Sequence, residues 1–207
     1  MDIGLCDPYT QRFTLEIDNP YFPLPVGRQI VLEGTEWFFR DVSVRITVLD
    51  EVRTVAGVRT RVVEEYEATD GEVVEVSRNY FAQTRDGVVC YFGEEVDIYD
   101  GDGNVVSHRG AWLADGETNI PGIFMPSPLE VGQAFQQEIA PGVAEDLAKV
   151  VALGEITEMP GGTFDETATL LDHNPLDGSG DEKVYASGVW LIIDGSARMT
   201  SFTPGER

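Results

Sequence analysis

Asp-Gly pairs at Asp70-Gly71, Asp86-Gly87 and Asp100-Gly101 each separate runs in which apolar and polar residues alternate. Glycine accepts the positive φ that a tight hairpin needs, and a period of two puts one face of each run against a core. Val44, Ile46 and Val48 alternate in this way with Ser43, Arg45 and Thr47. The strand-like stretch runs from Trp37 to about residue 109, with further runs at 59–69, 72–83 and 88–99. Three tight turns in succession predict a meander of neighbouring antiparallel strands.

Residues 110–132 break this rhythm. Pro121, Pro126 and Pro128, with four glycines, predict a long irregular loop. Trp112, Ile120, Ile123, Phe124 and Met125 make it too apolar to leave in water, so it is expected to pack on the sheet, across an open end. Strand signals resume at 133–139, 147–159, 163–171, 183–186, 189–193 and 198–202. The segment 143–153 carries a helical face in Ala144, Leu147, Ala148 and Val151, but Pro141-Gly142 and Val150-Val151 favour a strand. About ten strands joined by short turns must hide their edges. The expected fold is all-β, a single domain over 1–207 whose meander curves into a barrel or half-barrel. A two-sheet β-sandwich is the alternative, and residues 1–27 form an extended N-terminal segment.

Charge narrows the function. With 37 acidic against 14 basic residues the net charge is -23, and Lys149 and Lys183 are the only lysines. Such a surface repels nucleic acid and attracts cations, although solubility alone explains it. The longest apolar runs, such as Val189-Trp190-Leu191-Ile192-Ile193, fall far short of the roughly 20 residues of a membrane span. No basic region followed by an apolar stretch opens the chain, so it either stays inside the cell or begins after a removed export signal. Cys6 and Cys90 either form one disulfide tying the N-terminal segment to a strand or, the favoured expectation, remain two free thiols. The sequence sets no oligomeric state.

His108 and His173 lack the company of a zinc site, and no serine-hydrolase elbow, phosphate loop or dinucleotide fingerprint occurs. No metal and no cofactor is therefore expected. Asp100, Asp102 and Asn104 have the opening spacing of a calcium loop, but Val105 replaces its glycine and Ala111 its final glutamate. A hairpin turn accounts for them better, and a flexible turn accounts for Asp177 and Asp181.

The candidate site comes from hairpin register. A three-residue loop Arg85-Asp86-Gly87 sets Thr84 against Val88, Ala82 against Cys90, Tyr80 against Phe92, Arg78 against Glu94 and Val76 against Val96. Every pair is apolar or nearly so except Arg78–Glu94, an ion pair placed on an apolar face. A structural pair that fixes register is one explanation. The other is a cavity with Tyr80, Phe92 and Trp112 as walls, Arg78 and Glu94 as polar anchors, and Glu94 as a catalytic acid/base. Glu138, Glu145 and Asp146, clustered around Pro141-Gly142, are expected to form a solvated edge.

Asn19-Pro20-Tyr21-Phe22-Pro23-Leu24, Tyr91-Phe92-Gly93-Glu94, Pro121-Gly122-Ile123 with Met125-Pro126, Gln137-Glu138 with Ala144-Glu145-Asp146, and Met159-Pro160-Gly161-Gly162-Thr163-Phe164 occur in this order. Together they resemble a group of uncharacterised, usually exported bacterial all-β proteins. The last element, with Tyr185-Ala186-Ser187-Gly188-Val189, also resembles curved-sheet, lipoprotein-carrier-like envelope proteins. Cys90 departs from the aromatic residue the group would carry. The resemblance implies a fold and an extracytoplasmic, periplasmic or secreted, location, without a reaction. Three expectations follow. The first is a barrel binding a small hydrophobic or amphipathic ligand. The second is a cofactor-independent enzyme (cyclase, isomerase or hydrolase) using buried Glu94. The third is a structural envelope protein with no cavity.

Overall fold

The computed structural model describes residues 1–36 and 39–206, so Trp37 and Phe38, at the start of the strand-rich stretch, lie outside the described residues. After a short 3-10 turn at Ile3–Cys6 come β1 (Phe13–Thr14), β2 (Gln29–Glu36), β3 (Arg40–Val55), β4 (Val58–Thr69), β5 (Glu72–Thr84) and β6 (Val89–Tyr99). Then follow β7 (Val105–Ser107), β8 (Trp112–Leu113), β9 (Ile120–Met125), β10 (Ala134–Gln136) and β11 (Glu138–Ile139). The chain ends with β12 (Leu147–Met159), β13 (Gly162–His173), β14 (Glu182–Ala186), β15 (Trp190–Asp194) and β16 (Ala197–Thr203).

Every pairing is antiparallel, and the main path runs β10-β12-β13-β14-β15-β16-β2-β3-β4-β5-β6-β9-β11. Its two ends, β10 and β11, are consecutive pieces of one segment either side of Gln137. That segment passes from β12 to β9, giving a nearly closed barrel with one unsealed seam. Between β10 and β11 the backbone N–H of Gln137 donates to the Asp146 carbonyl at 2.8 Å, continuing the ladder with β12. Closure removes most of the exposed edge that an open meander would present.

The turns follow the sequence chemistry. Asp70 and Gly71 both have positive φ, 53° and 82°, as a two-residue hairpin turn requires, and Gly87 sits at 84°. The long-loop expectation for 110–132 needs correction. Ile120–Met125 is a wall strand, pairing with β6 on one side and β11 on the other. The segment packs on the barrel because its apolar residues are part of the barrel. The stretch 147–159 is a strand, as Val150-Val151 indicated.

Cys6 and Cys90 are joined in a disulfide, against the expectation of free thiols. It ties the N-terminal segment across the outer face of β5 and β6, where Phe13 meets Phe92 edge-on at 5.3 Å and β1 pairs with the end of β5. This hairpin is therefore buried on both faces near its turn, and alternation there does not report a solvent side.

Residues following the arm form the barrel's floor. Asn19 donates through Nδ2 to the carbonyls of Gly87 and Pro126, and the Gln83 side-chain oxygen accepts from the Asp18 and Asn19 backbone. The Arg28 guanidinium donates to the carbonyls of Pro23, Gly188, Val189 and Pro204. So held, the turn inserts Phe22 between Phe81, Phe124 and Trp190, with ring centroids 4.8–5.2 Å away.

Candidate functional site in the barrel interior

The proposed pair of Arg78 with Glu94 does not form. Register holds from Gln83–Val89 through Phe81–Tyr91 and then slips, so that Asn79 faces Glu94 and Arg78 faces Glu95. A β-bulge causes this. Phe92 and Gly93 together oppose Tyr80, and Gly93 takes up a φ of 112°. A Cβ there would lie 2.3 Å from the Trp112 carbonyl of β8, which approaches Gly93 closely. One extra residue reverses the facing of all that follows it in β6.

Glu94 therefore turns into the barrel while Arg78 turns out. Arg78 pairs with Glu64 at 3.1 Å and Glu51 at 3.2 Å, its side chain 43% exposed. Tyr80 and Phe92 also lie on the outer face. Tyr80 donates its hydroxyl to Glu95 at 2.7 Å beneath Arg53, and Phe92 lies under the N-terminal segment. Neither they nor Arg78 line the cavity. Trp112 lies one layer behind its wall, edge-on to Tyr91 at 5.5 Å. Replacing Arg78 with alanine is expected to change stability by about 1 kcal/mol or less, because both its ion pairs lie on the outer face within reach of solvent. Urea unfolding of the variant checks this, and a loss of several kcal/mol would contradict it.

The interior holds a cavity of about 320 Å³. One end is aromatic: Phe22, Phe81, Tyr91, Phe124 and Trp190 form a floor, in which Phe81 and Tyr91 stack at 4.8 Å. Toward the other end the lining becomes acidic. β4 contributes Glu65 and Glu67, β5 contributes Glu75 beyond Ser77 and Asn79, and β6 contributes Glu94. The opposite wall supplies Glu138, Asp146 and Asp172, with Asp194 from β15. Clefts that share Glu67 and Asp194 on one side, and Glu75, Glu94, Glu138 and Asp146 on the other, carry this acidic end out to the surface turns.

Among the described residues one cationic side chain lines the cavity. Lys183 sits 3.2 Å from Asp172 and 4.0 Å from Asp194. Burial alone would lower its pKa, but the carboxylates of Asp194 and Asp172 outweigh burial and raise it well above the ordinary lysine value. Arg109 borders an outer cleft and feels the charge of Asp177.

The remaining carboxylates hold protons unusually well. Burial, reinforced by Glu67 and Asp194, pushes Glu65 up to about 8. Burial and Glu75 push Glu67 to about 7, and burial and Asp146 push Glu138 to about 7. Glu94 is raised well above the carboxylate range by burial and by Glu138, Glu75 and Glu65. Beside it, Tyr91 donates its hydroxyl to Asn79 Oδ1. The Trp112 Nε1–H is buried outside hydrogen-bonding geometry of any acceptor among the described residues, yet its positive end tempers the rise at Glu138.

The solvated-edge expectation is corrected for Glu138 and Asp146, which line the cavity. Glu145 does face solvent and accepts from the Gly142 N–H at 2.7 Å. Asp100 accepts from the backbone N–H groups of Asp102 and Asn104, so its carboxylate serves a hairpin turn. Among the described residues no three His, Cys, Asp or Glu side chains converge to hold a metal ion. Among the described residues no helix is long and apolar enough to cross a membrane. Comparisons with family models, with curated proteins and with solved structures found no match.

Proposed function

We propose that the barrel binds a small amphipathic molecule, its apolar part against the aromatic floor and its polar part among the acidic side chains toward the surface. The observation that carries this reading is the lengthwise change in the cavity from five aromatic rings to carboxylates. Ligand sites in barrels combine an apolar enclosure with a few polar groups that orient the ligand. The protein is also proposed to work outside the cytoplasm. The Cys6–Cys90 disulfide supports that location, since such bonds persist in oxidising compartments.

Native mass spectrometry of protein taken from its own host tests the binding reading. A non-covalent adduct is expected that disappears on unfolding and is missing from a Ser77→Trp variant, whose indole would fill the cavity. A folded wild-type protein carrying no adduct, and showing no difference from that variant, would count against it.

A second reading is favoured by Glu94 alone. A carboxyl group whose pKa burial and neighbouring carboxylates raise, beside the Tyr91 hydroxyl and above an aromatic floor, suits a general acid in a cofactor-independent cyclase, isomerase or hydrolase. Under this reading Glu94→Gln still binds the molecule but no longer turns it over. Under the carrier reading the molecule is recovered unchanged from both proteins.

A further inference from the structure

Lys183 pairs with Asp172 and Asp194; its charge reaches Glu65, Glu67, Glu138 and Asp146, but these four, with Glu75 and Glu94, make six cavity carboxylates that have no ion-pair partner among the described residues. Glu65 is partly buried, faces the cavity and has no hydrogen-bond partner among the described residues, and Asp146 Oδ1 is buried in the same lining without one. Glu67 and Glu75 likewise have none among the described residues. Grouping carboxylates away from bulk water raises the energy of each. A wall that needed only polarity would be met by glutamine or threonine at lower energy. A carboxylate outperforms an amide there when a positive charge occupies the space between them.

A metal ion fits poorly, since no three of these groups converge on one point among the described residues. Their spread along the barrel suits a charge carried on a larger body. The aromatic end adds a second attraction, because ring faces favour both apolar surface and an approaching ammonium. Resting on the binding reading above, the geometry points to an organic cation, a protonated amine on an apolar or aromatic body, as the occupant of this cavity. Its ring or chain lies on Phe81, Tyr91 and Trp190, and its ammonium lies between Glu65, Glu67 and Glu75. A quaternary ammonium would be held less well, because it has no N–H to give these carboxylates.

Calorimetric titration of the disulfide-intact protein at pH 8 with three probes of one shape tests this. The probes are phenethylamine, 2-phenylethanol and 3-phenylpropionate. The amine is expected to bind at least tenfold more tightly than the alcohol, with no measurable binding of the propionate. Glu65→Gln and Glu67→Gln are each expected to weaken the amine about fivefold, leave the alcohol unchanged and raise the melting temperature. A purely structural role for these carboxylates would not move the amine-to-alcohol ratio. Equal or tighter binding of the alcohol would overturn the inference and leave the binding reading standing. Displacement of the amine by calcium chloride, lost in the same variants, would overturn it in favour of a metal. No binding of any probe would overturn the inference and count against the binding reading as well.

Discussion

Urea unfolding across a pH series is expected to show the protein most stable at about pH 4–5 and steadily less stable up to about pH 8. Glu65, Glu67 and Glu138 have folded-state pKa values of about 8, 7 and 7, against the ordinary 4.5. Below pH 4.5 they are protonated in both states, so they contribute no penalty. As the pH rises the unfolded chain ionises first, while the folded chain keeps its protons. Each such group then removes about 1.4 kcal/mol of stability per pH unit until its folded pKa is passed. Solvent reaching the cavity wall screens part of this, leaving a total on the order of 5 kcal/mol.

The surface acids act in the opposite sense. Asp70 is lowered by its hydrogen bond with Arg40, and Asp100 by backbone and side-chain donors of Asn104. Their stabilisation is present above the ordinary value of 3.8 and fades as the pH falls through their folded values. They set the acidic limit of the optimum. Glu65→Gln should flatten the decline between pH 5 and 8. A curve that is level or rising there in the wild type would mean that these carboxylates meet bulk water.

Reduction of the Cys6–Cys90 disulfide is expected to remove about 4 kcal/mol of stability. The bond spans 84 residues, and freeing a loop of that size restores considerable entropy to the unfolded chain. The effect is also local, since the N-terminal segment covers the outer face of the β5–β6 hairpin. Cleavage by trypsin after the exposed Arg12 should therefore accelerate on reduction, before the barrel itself unfolds. A Cys6→Ala/Cys90→Ala protein should show the same shift in its urea midpoint. A midpoint unchanged by reduction would mean that the covering segment holds without its cross-link.

The strands and the chemistry of the turns were legible in the sequence because they depend on local rules. Asp70-Gly71 and Gly87 needed only backbone geometry, and the pairing of Ala82 with Cys90 needed only a loop length. Past Gly93 the count failed. A lone glycine within a strand pattern is a known mark of a bulge, and Gly93 stood inside the Tyr-Phe-Gly-Glu run that drew attention to Glu94. Honouring that mark would have separated Arg78 from Glu94.

The acidic wall was hidden for a different reason. In Val62-Val63-Glu64-Glu65-Tyr66-Glu67 neither face is apolar throughout, so alternation could not say which glutamates turn inward. Val62 and Tyr66 face outward, while Val63, Glu65 and Glu67 line the cavity. The usual sign of burial fails where the inside is charged and part of the outside is covered. The disulfide and the roles of Asp172, Lys183 and Asp194 depend on strands far apart in the chain, which spacing does not reveal.

Arg28 is seated by carbonyls at Gly188, Val189 and Pro204, and β2 is paired by β16. Residues near the start of this sequence thus wait for others some 160–176 positions further on before finding their place. Until β15 is in place, Phe22 has no Trp190 to rest on and the vessel has no bottom. Assembly of this chain is an act of completion rather than of growth, and a chain cut short before β15 and β16 should form an open sheet in place of a smaller barrel.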